Sequence, residues 1–138
     1  RRSNRVVHAV DLRNHGRSPH MPTMTYKEMA DDVHQVVEEV CEGVSPIILG
    51  HSMGGKVAME YCLRYDAWLS GLIVVDMAPV TYEAHRDIDL CITTMQGVNV
   101  AAAQSAREVA PQMQAVEDPG IRAFLMSNLV PCENGNGM

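Results

Sequence analysis

The stretch Pro46-Ile47-Ile48-Leu49-Gly50-His51-Ser52-Met53-Gly54-Gly55-Lys56 decides how the chain is read. An apolar run ends in the pentapeptide Gly50-His51-Ser52-Met53-Gly54, a G-x-S-x-G pattern, and a helix-like run extends from Gly55 to Tyr65. A serine on a tight strand-to-helix turn is held in a strained backbone conformation with its neighbours pressed close, hence the glycines on both sides. A side chain at Gly50 or at Gly54 is expected to collide. The turn lifts the serine hydroxyl clear of the sheet. It also leaves the amide of Met53 at a helix N-terminus, aimed at negative charge developing on a carbonyl under attack.

Outward from this turn, strands and helices alternate. Arg5-Val6-Val7-His8-Ala9-Val10 is β-rich and ends at Asp11; the polar segment Arg13–Pro19 follows as a loop. Thr25-Tyr26-Lys27-Glu28 has the capping-box pattern, with Met24 and Met29 spaced as a hydrophobic staple, so a helix starts at Tyr26. Met29, Val33, Val36, Val37, Val40 and Cys41 recur on its inner face, and Gly43 ends it. After the serine, Val57, Tyr61, Cys62 and Tyr65 point inward. Gly71-Leu72-Ile73-Val74-Val75 is a third strand, closed by Asp76. The continuous apolar strand Ile47–Leu49 implies a sheet covered on both faces. The order predicts an α/β fold with a parallel, doubly wound sheet of three strands. Asp11, Ser52 and Asp76 then share the carboxyl edge, where such sheets bind ligands.

Beyond Pro79 the pattern becomes helical, which divides the chain into a core over residues 1–79 and a helical segment over 80–138. Ile88, Cys91, Ile92 and Met95 suit one helix. Ala102, Ala106, Val109, Ala110 and Met113 suit a second, bent or broken at Pro111. Asp118-Pro119 caps a third, with Ile121, Phe124, Leu125 and Leu129 inward.

Composition narrows the chemistry. The chain has 138 residues, 46% of them hydrophobic, and a net charge of −6. With no basic stripe, nucleic acid is not an expected partner. Cys41, Cys62, Cys91 and Cys132 are scattered without a C-x-x-C pair, which suits reduced thiols in an intracellular compartment. No apolar run reaches the roughly 18 residues of a membrane span.

A serine hydroxyl needs a histidine to take its proton and a carboxylate to orient that histidine. Asp76, leaving the strand beside that of Ser52, can be the carboxylate or a loop cap. His85 is the only histidine after Asp76, and it falls at the start of the helical segment. His15 can be a ligand or a base, or a loop histidine outside the chemistry; His8 and His20 have less claim. Two other readings stand beside the nucleophile. Gly50-x-x-x-x-Gly55-Lys56 matches a phosphate-binding loop until Val57, where magnesium would need a hydroxyl. A non-catalytic interaction module pairing through open sheet edges is the other.

With these residues assembled, the chain resembles the α/β-hydrolases, close to the abhydrolase domain-containing protein 11 group and the YbfF-like esterases. The resemblance rests on Val10–Pro19, Gly50–Met59 and Val74–Val80 and covers residues 5 to about 130. It implies Ser52 as nucleophile, Met53 as oxyanion donor, Asp76 as acid and a helical cap from about Val80. It implies no cofactor and no metal, a small-molecule ester of acyl or lipid type as substrate, and a mitochondrial location. The family's His-Gly loop and its C-terminal histidine have no counterpart here, so the chain is expected to be the middle of a longer enzyme, impaired on its own.

Overall fold

The computed structural model describes residues 5–65, 69–82 and 86–130. They form two compact units that part between Val80 and Thr81.

The first unit is one strand–helix–strand repeat with a helix packed on it. Helix α1 spans Tyr26–Cys41. Its capping box is complete: the Glu28 amide donates to Thr25 Oγ1 at 3.2 Å and the Thr25 amide donates to Glu28 Oε2 at 2.8 Å. The helix stops where Glu42 and then Gly43 take left-handed conformations, with φ of 44° and 82°. Strand β1 (Ile47–His51), helix α2 (Met53–Tyr65) and strand β2 (Gly71–Val75) follow. The strands pair in parallel, Ile47 opposite Gly71 through His51 opposite Val75.

The core of this unit is Met29, Ala30 and Val33 from α1 against Val57 and Tyr61 from α2, with Ile48 and Leu12 closing it. Helix α2 therefore covers one face of the sheet, and α1 packs on α2. Two polar clasps hold the helices. Asp31 accepts from the Tyr65 hydroxyl at 2.7 Å and from Arg64 at 2.8 Å, and the His34 ring stacks on Tyr65 with centroids 3.8 Å apart. Arg13 grips Asp32 with two 2.6 Å bonds and lies 3.4 Å from Glu28, tying the loop before α1 to its first turns.

Three expectations fail here. Arg5–Val10 runs without a strand partner among the described residues, and Val6 and Val7 are 81% and 86% exposed. A strand needs a neighbouring ladder as well as β-propensity, and this segment has none. Among the described residues the sheet thus has two strands, not three, in one crossover unit. Nor do the described residues cover it on both faces. Ile48 and Val74 face α2, whereas Ile47, Leu49, Ile73 and Val75 point the other way and are exposed, Leu49 by 63%. A continuous apolar run shows that a strand can be buried on both faces, but the cover must come from elsewhere. In α1, Met29 and Val33 are buried and Val37 packs against them as expected, but Ala30 joins them and Val40 is exposed, so burial is concentrated in the N-terminal turns rather than along the whole face.

The second unit is helical. It contains α3 (Arg86–Gln96), α4 (Ala106–Val109) and α5 (Pro119–Met126), with 3-10 turns at Val100–Ala102 and Ala110–Met113. Ala103, Val109, Met113, Val116 and Leu125 form its core, with Cys91, Val98, Met126 and Leu129 against it. The expected second helix is broken rather than bent: α4 closes after one turn and Pro111 sits at the start of a 3-10 turn, where its missing N–H is no loss. Helix α5 starts as its sequence predicts, Asp118 Oδ1 accepting the Ile121 amide at 2.8 Å. Only Leu125 of its expected inner face is buried; Phe124 is 71% exposed and Ile121 is exposed. Ile88, Ile92 and Met95 of α3 are exposed too.

Cys41, Cys62 and Cys91 are free and half-buried, while Cys132 lies outside the described residues. No helix among the described residues is long and apolar enough to cross a membrane.

Candidate active site

Ser52 stands between β1 and α2 with a φ of 52°, in the left-handed region that side chains disfavour. Its backbone is fixed from both directions. The Ser52 amide donates to the Val75 carbonyl at 3.1 Å, extending the sheet by one rung. The Ser52 carbonyl accepts from the Gly55 amide at 2.9 Å and the Lys56 amide at 3.3 Å, opening the helix. The strain is therefore imposed by the last bond of the sheet and the first bonds of α2. Ser52 itself is exposed. Met53 occupies the first helical position, where an α-helix has no internal acceptor for the amide.

The glycines around the serine do different work from that expected. A Cβ on Gly50 would lie 2.1 Å from the Gly54 carbonyl oxygen and 2.4 Å from its carbon, a collision with backbone. A Cβ on Gly54 would meet nothing within 4 Å. The predicted collision at Gly54 is absent because the position opens outward from the first turn of α2. The second intolerant glycine is Gly55, buried, whose Cβ would lie 3.1 Å from Val74 Cγ1, 3.2 Å from Met77 Cβ and 3.3 Å from the Gly50 carbonyl oxygen. This close approach lets the segment after β2 lie against the helix that follows the serine.

That segment begins with Asp76. By the register of β1 and β2, Asp76 follows β2 as Ser52 follows β1, so the two residues leave adjacent strands at the same edge. Asp76 also has a positive φ, 54°, and its side chain is 88% exposed. Its Oδ2 lies 3.9 Å from His51 Nε2. Lys56 Nζ donates to the Val80 carbonyl at the far end of the same segment.

The other sequence candidates are placed as follows. Asp11 caps its own loop, its carboxylate accepting the Arg17 amide at 3.1 Å and its carbonyl the Ser18 hydroxyl at 2.6 Å. His15 is exposed, with Nδ1 2.9 Å from the Arg13 carbonyl oxygen. His8 and His20 are exposed. His85 lies outside the described residues. The positions a phosphate-binding loop would use serve packing: Lys56 bonds Val80, and Val57 is 2% exposed in the core. Neither the His51–Asp76 pair nor the Lys56–Val80 bond was legible beforehand. The Gly54-Gly55-Lys56 sequence after the serine is the signal for the second, masked by its likeness to a phosphate-binding loop.

The family described as serine aminopeptidase, S33 matches residues 1–129, nearly the whole chain. The chain belongs to the α/β-hydrolases. It is 36% identical over 141 residues to an sn-1-specific diacylglycerol lipase, ABHD11, of Danio rerio, covering 99% of this chain and 43% of that protein. It is 34% identical over 125 residues to the esterase YbfF of Escherichia coli K12, covering 90% of this chain and 48% of that one. Among solved structures, a marine microorganism esterase superposes with a TM-score of 0.83 at 32% identity, over 93% of this chain and 51% of its own. The chain thus spans about half the length, or less, of these relatives. As an α/β-hydrolase it carries the strand–turn–helix around Ser52 and the strand that precedes Asp76.

Proposed function

We propose that this α/β-hydrolase chain supplies the nucleophile and the acid of a serine ester hydrolase acting on acyl or lipid esters. Ser52 Oγ attacks the ester carbonyl carbon as its proton passes to a histidine. The carbonyl oxygen becomes an oxyanion facing the Met53 amide. Collapse expels the alcohol with a proton and leaves an acyl group on Ser52; water then releases the acid and regenerates the hydroxyl. Asp76 orients the histidine and stabilises its charged form.

The single observation that carries this reading is Ser52 at φ 52° between the last sheet bond and the first helix bonds. A structural serine gains nothing from that strain, whereas a nucleophile gains an exposed hydroxyl beside a helix-terminal amide. The relatives named as a diacylglycerol lipase and esterases support an ester substrate of acyl or lipid type.

The base is the part this reading takes from outside the described residues, as it does the second oxyanion donor. Among described histidines, His51 is the one paired with Asp76, and it directly precedes the nucleophile in sequence, unlike the serine, acid, histidine order of the fold. With the base placed in sequence flanking these 138 residues, after the acid as the order of the fold has it, the 138-residue chain should hydrolyse esters far more slowly than the same chain carrying its native flanking sequence.

The test is turnover of p-nitrophenyl esters of increasing acyl length by both forms, with Ser52→Ala and Asp76→Asn. Activity in the flanked form, lost with Ser52→Ala and reduced at least about a hundredfold with Asp76→Asn, is the expected result. Full activity in Ser52→Ala would refute it.

A further inference from the structure

Between the nucleophile helix and the end of β2 the structure holds three contacts that the ester chemistry does not itself require. The Ser52 amide bonds the Val75 carbonyl, immediately before Asp76. Gly55 is buried under Val74, two residues before it, and Met77, immediately after it. Lys56 reaches from the first turn of α2 to the carbonyl of Val80, four residues beyond. The segment 76–80 is thus fastened at both ends to the turn at Ser52 and the helix that follows it.

Asp76 needs such fastening. Its side chain is 88% exposed, its φ of 54° is one a non-glycine residue leaves readily, and the His51 ring nitrogen Nε2 stands 3.9 Å from its carboxylate. A carboxylate so placed has little side-chain packing to fix its direction. Its position is inherited from the backbone on either side.

We infer that Lys56 is a positioning residue for the catalytic acid: its bond to the Val80 carbonyl closes the 76–80 segment against α2 and holds Asp76 in register with Ser52. This rests on the proposed role of Asp76. Lysine suits the task because a long flexible stem carries a compact donor across the gap. It also gives the Gly55-Lys56 pair one joint purpose, close approach at one end of the segment and a tether at the other.

Two measurements test the inference. In the chain with its native flanks, Lys56→Met keeps the apolar stem and removes the donor, and Lys56→Arg keeps a donor. Lys56→Met should lower kcat for p-nitrophenyl butyrate about tenfold with KM within about twofold, because a small misplacement of a positioned group acts on the chemical step. Lys56→Arg should recover most of the loss. In the 138-residue chain, amide hydrogen exchange over residues 76–80 should quicken about tenfold in Lys56→Met, with exchange in α1 unchanged.

Unchanged exchange over 76–80 overturns the tether. Unchanged kcat in Lys56→Met, where Asp76→Asn is strongly impaired, overturns the positioning role, as does a change confined to KM. Normal kcat in Asp76→Asn would instead sink the assignment of Asp76, and quickened exchange in Lys56→Met would then leave a tether without a catalytic purpose. Lys56→Gln, too short to span the gap, must behave as Lys56→Met in both measurements.

Discussion

Three glycines lie within six residues of one another around the serine, and the structure ranks them. Consider alanine at each. At Gly50 the new methyl would meet the Gly54 carbonyl oxygen at 2.1 Å, its carbon at 2.4 Å and the Gly55 nitrogen at 2.7 Å. All three are backbone atoms of the turn, so relief requires displacing the start of α2 from β1. Overpacking of this kind costs about 3 kcal/mol or more, a large share of the ~5–15 kcal/mol that stabilises a typical domain. At Gly55 the contacts are 3.1–3.3 Å and two of the three atoms belong to side chains, so a shift of a few tenths of an ångström suffices and the cost is about 1–2 kcal/mol. At Gly54 nothing lies within 4 Å and φ is not positive, so alanine should stabilise by up to about 0.5–1 kcal/mol through backbone entropy and helix propensity. Urea unfolding reads the series. With m unchanged, Gly50→Ala should lower the midpoint by roughly 1–3 M, Gly55→Ala by less, and Gly54→Ala should leave it level or raise it. A Gly54→Ala variant as damaged as Gly50→Ala would refute this account of the turn and restore the symmetric expectation of the motif.

Strain at Ser52 makes its own prediction. Ser52→Gly should stabilise the fold by about 1 kcal/mol by releasing the positive φ, while Ser52→Ala should not, as read by thermal or urea midpoints. A buried hydroxyl gives the next. The Tyr61 side chain is fully buried and its hydroxyl has no partner among the described residues, so Tyr61→Phe should be neutral or stabilising by about 1 kcal/mol, and a loss above that in urea unfolding would reveal a missed partner. Acid dependence provides the last. The Thr23 hydroxyl, then the Thr25 amide and hydroxyl, hold the Glu28 carboxyl at about 2, below its ordinary 4.5. A depressed carboxylate contributes fully above its unfolded value and loses that contribution as pH falls through the folded one. The midpoint difference between the parent chain and Glu28→Gln should therefore be constant above pH 4.5 and shrink between 4.5 and 2; a pH-independent difference would contradict the assignment.

Local chemistry was the legible part of the sequence. The Thr25–Glu28 box, the Asp118-Pro119 start and the break at Pro111 each depend on atoms within a few residues, and each formed where its pattern lay. The strand–turn–helix at Ser52 was legible for the same reason. What was not legible depends on partners distant in sequence. Arg5–Val10 has the composition of a strand, yet pairing is a property of two segments, and no described segment lies alongside it. The exposed faces bearing Leu49 and Phe124 are apolar patterns whose cover is not supplied by the described residues. Within the candidate site, Gly54 and Gly55 look alike as letters. Only the approach of Val74 and Met77, brought by β2 across the crossover, tells them apart.

The central claim is that Ser52 is a nucleophile on a turn built for it, awaiting a base from beyond the described residues. Fluorophosphonate labelling with peptide mapping tests it most directly, on the 138-residue chain and on the chain with its native flanks. The account predicts a single adduct on Ser52 in the flanked chain, none in Ser52→Ala, and labelling of the 138-residue chain slower by about a thousandfold or more. An adduct on another residue, or equal labelling rates in the two forms, would contradict it.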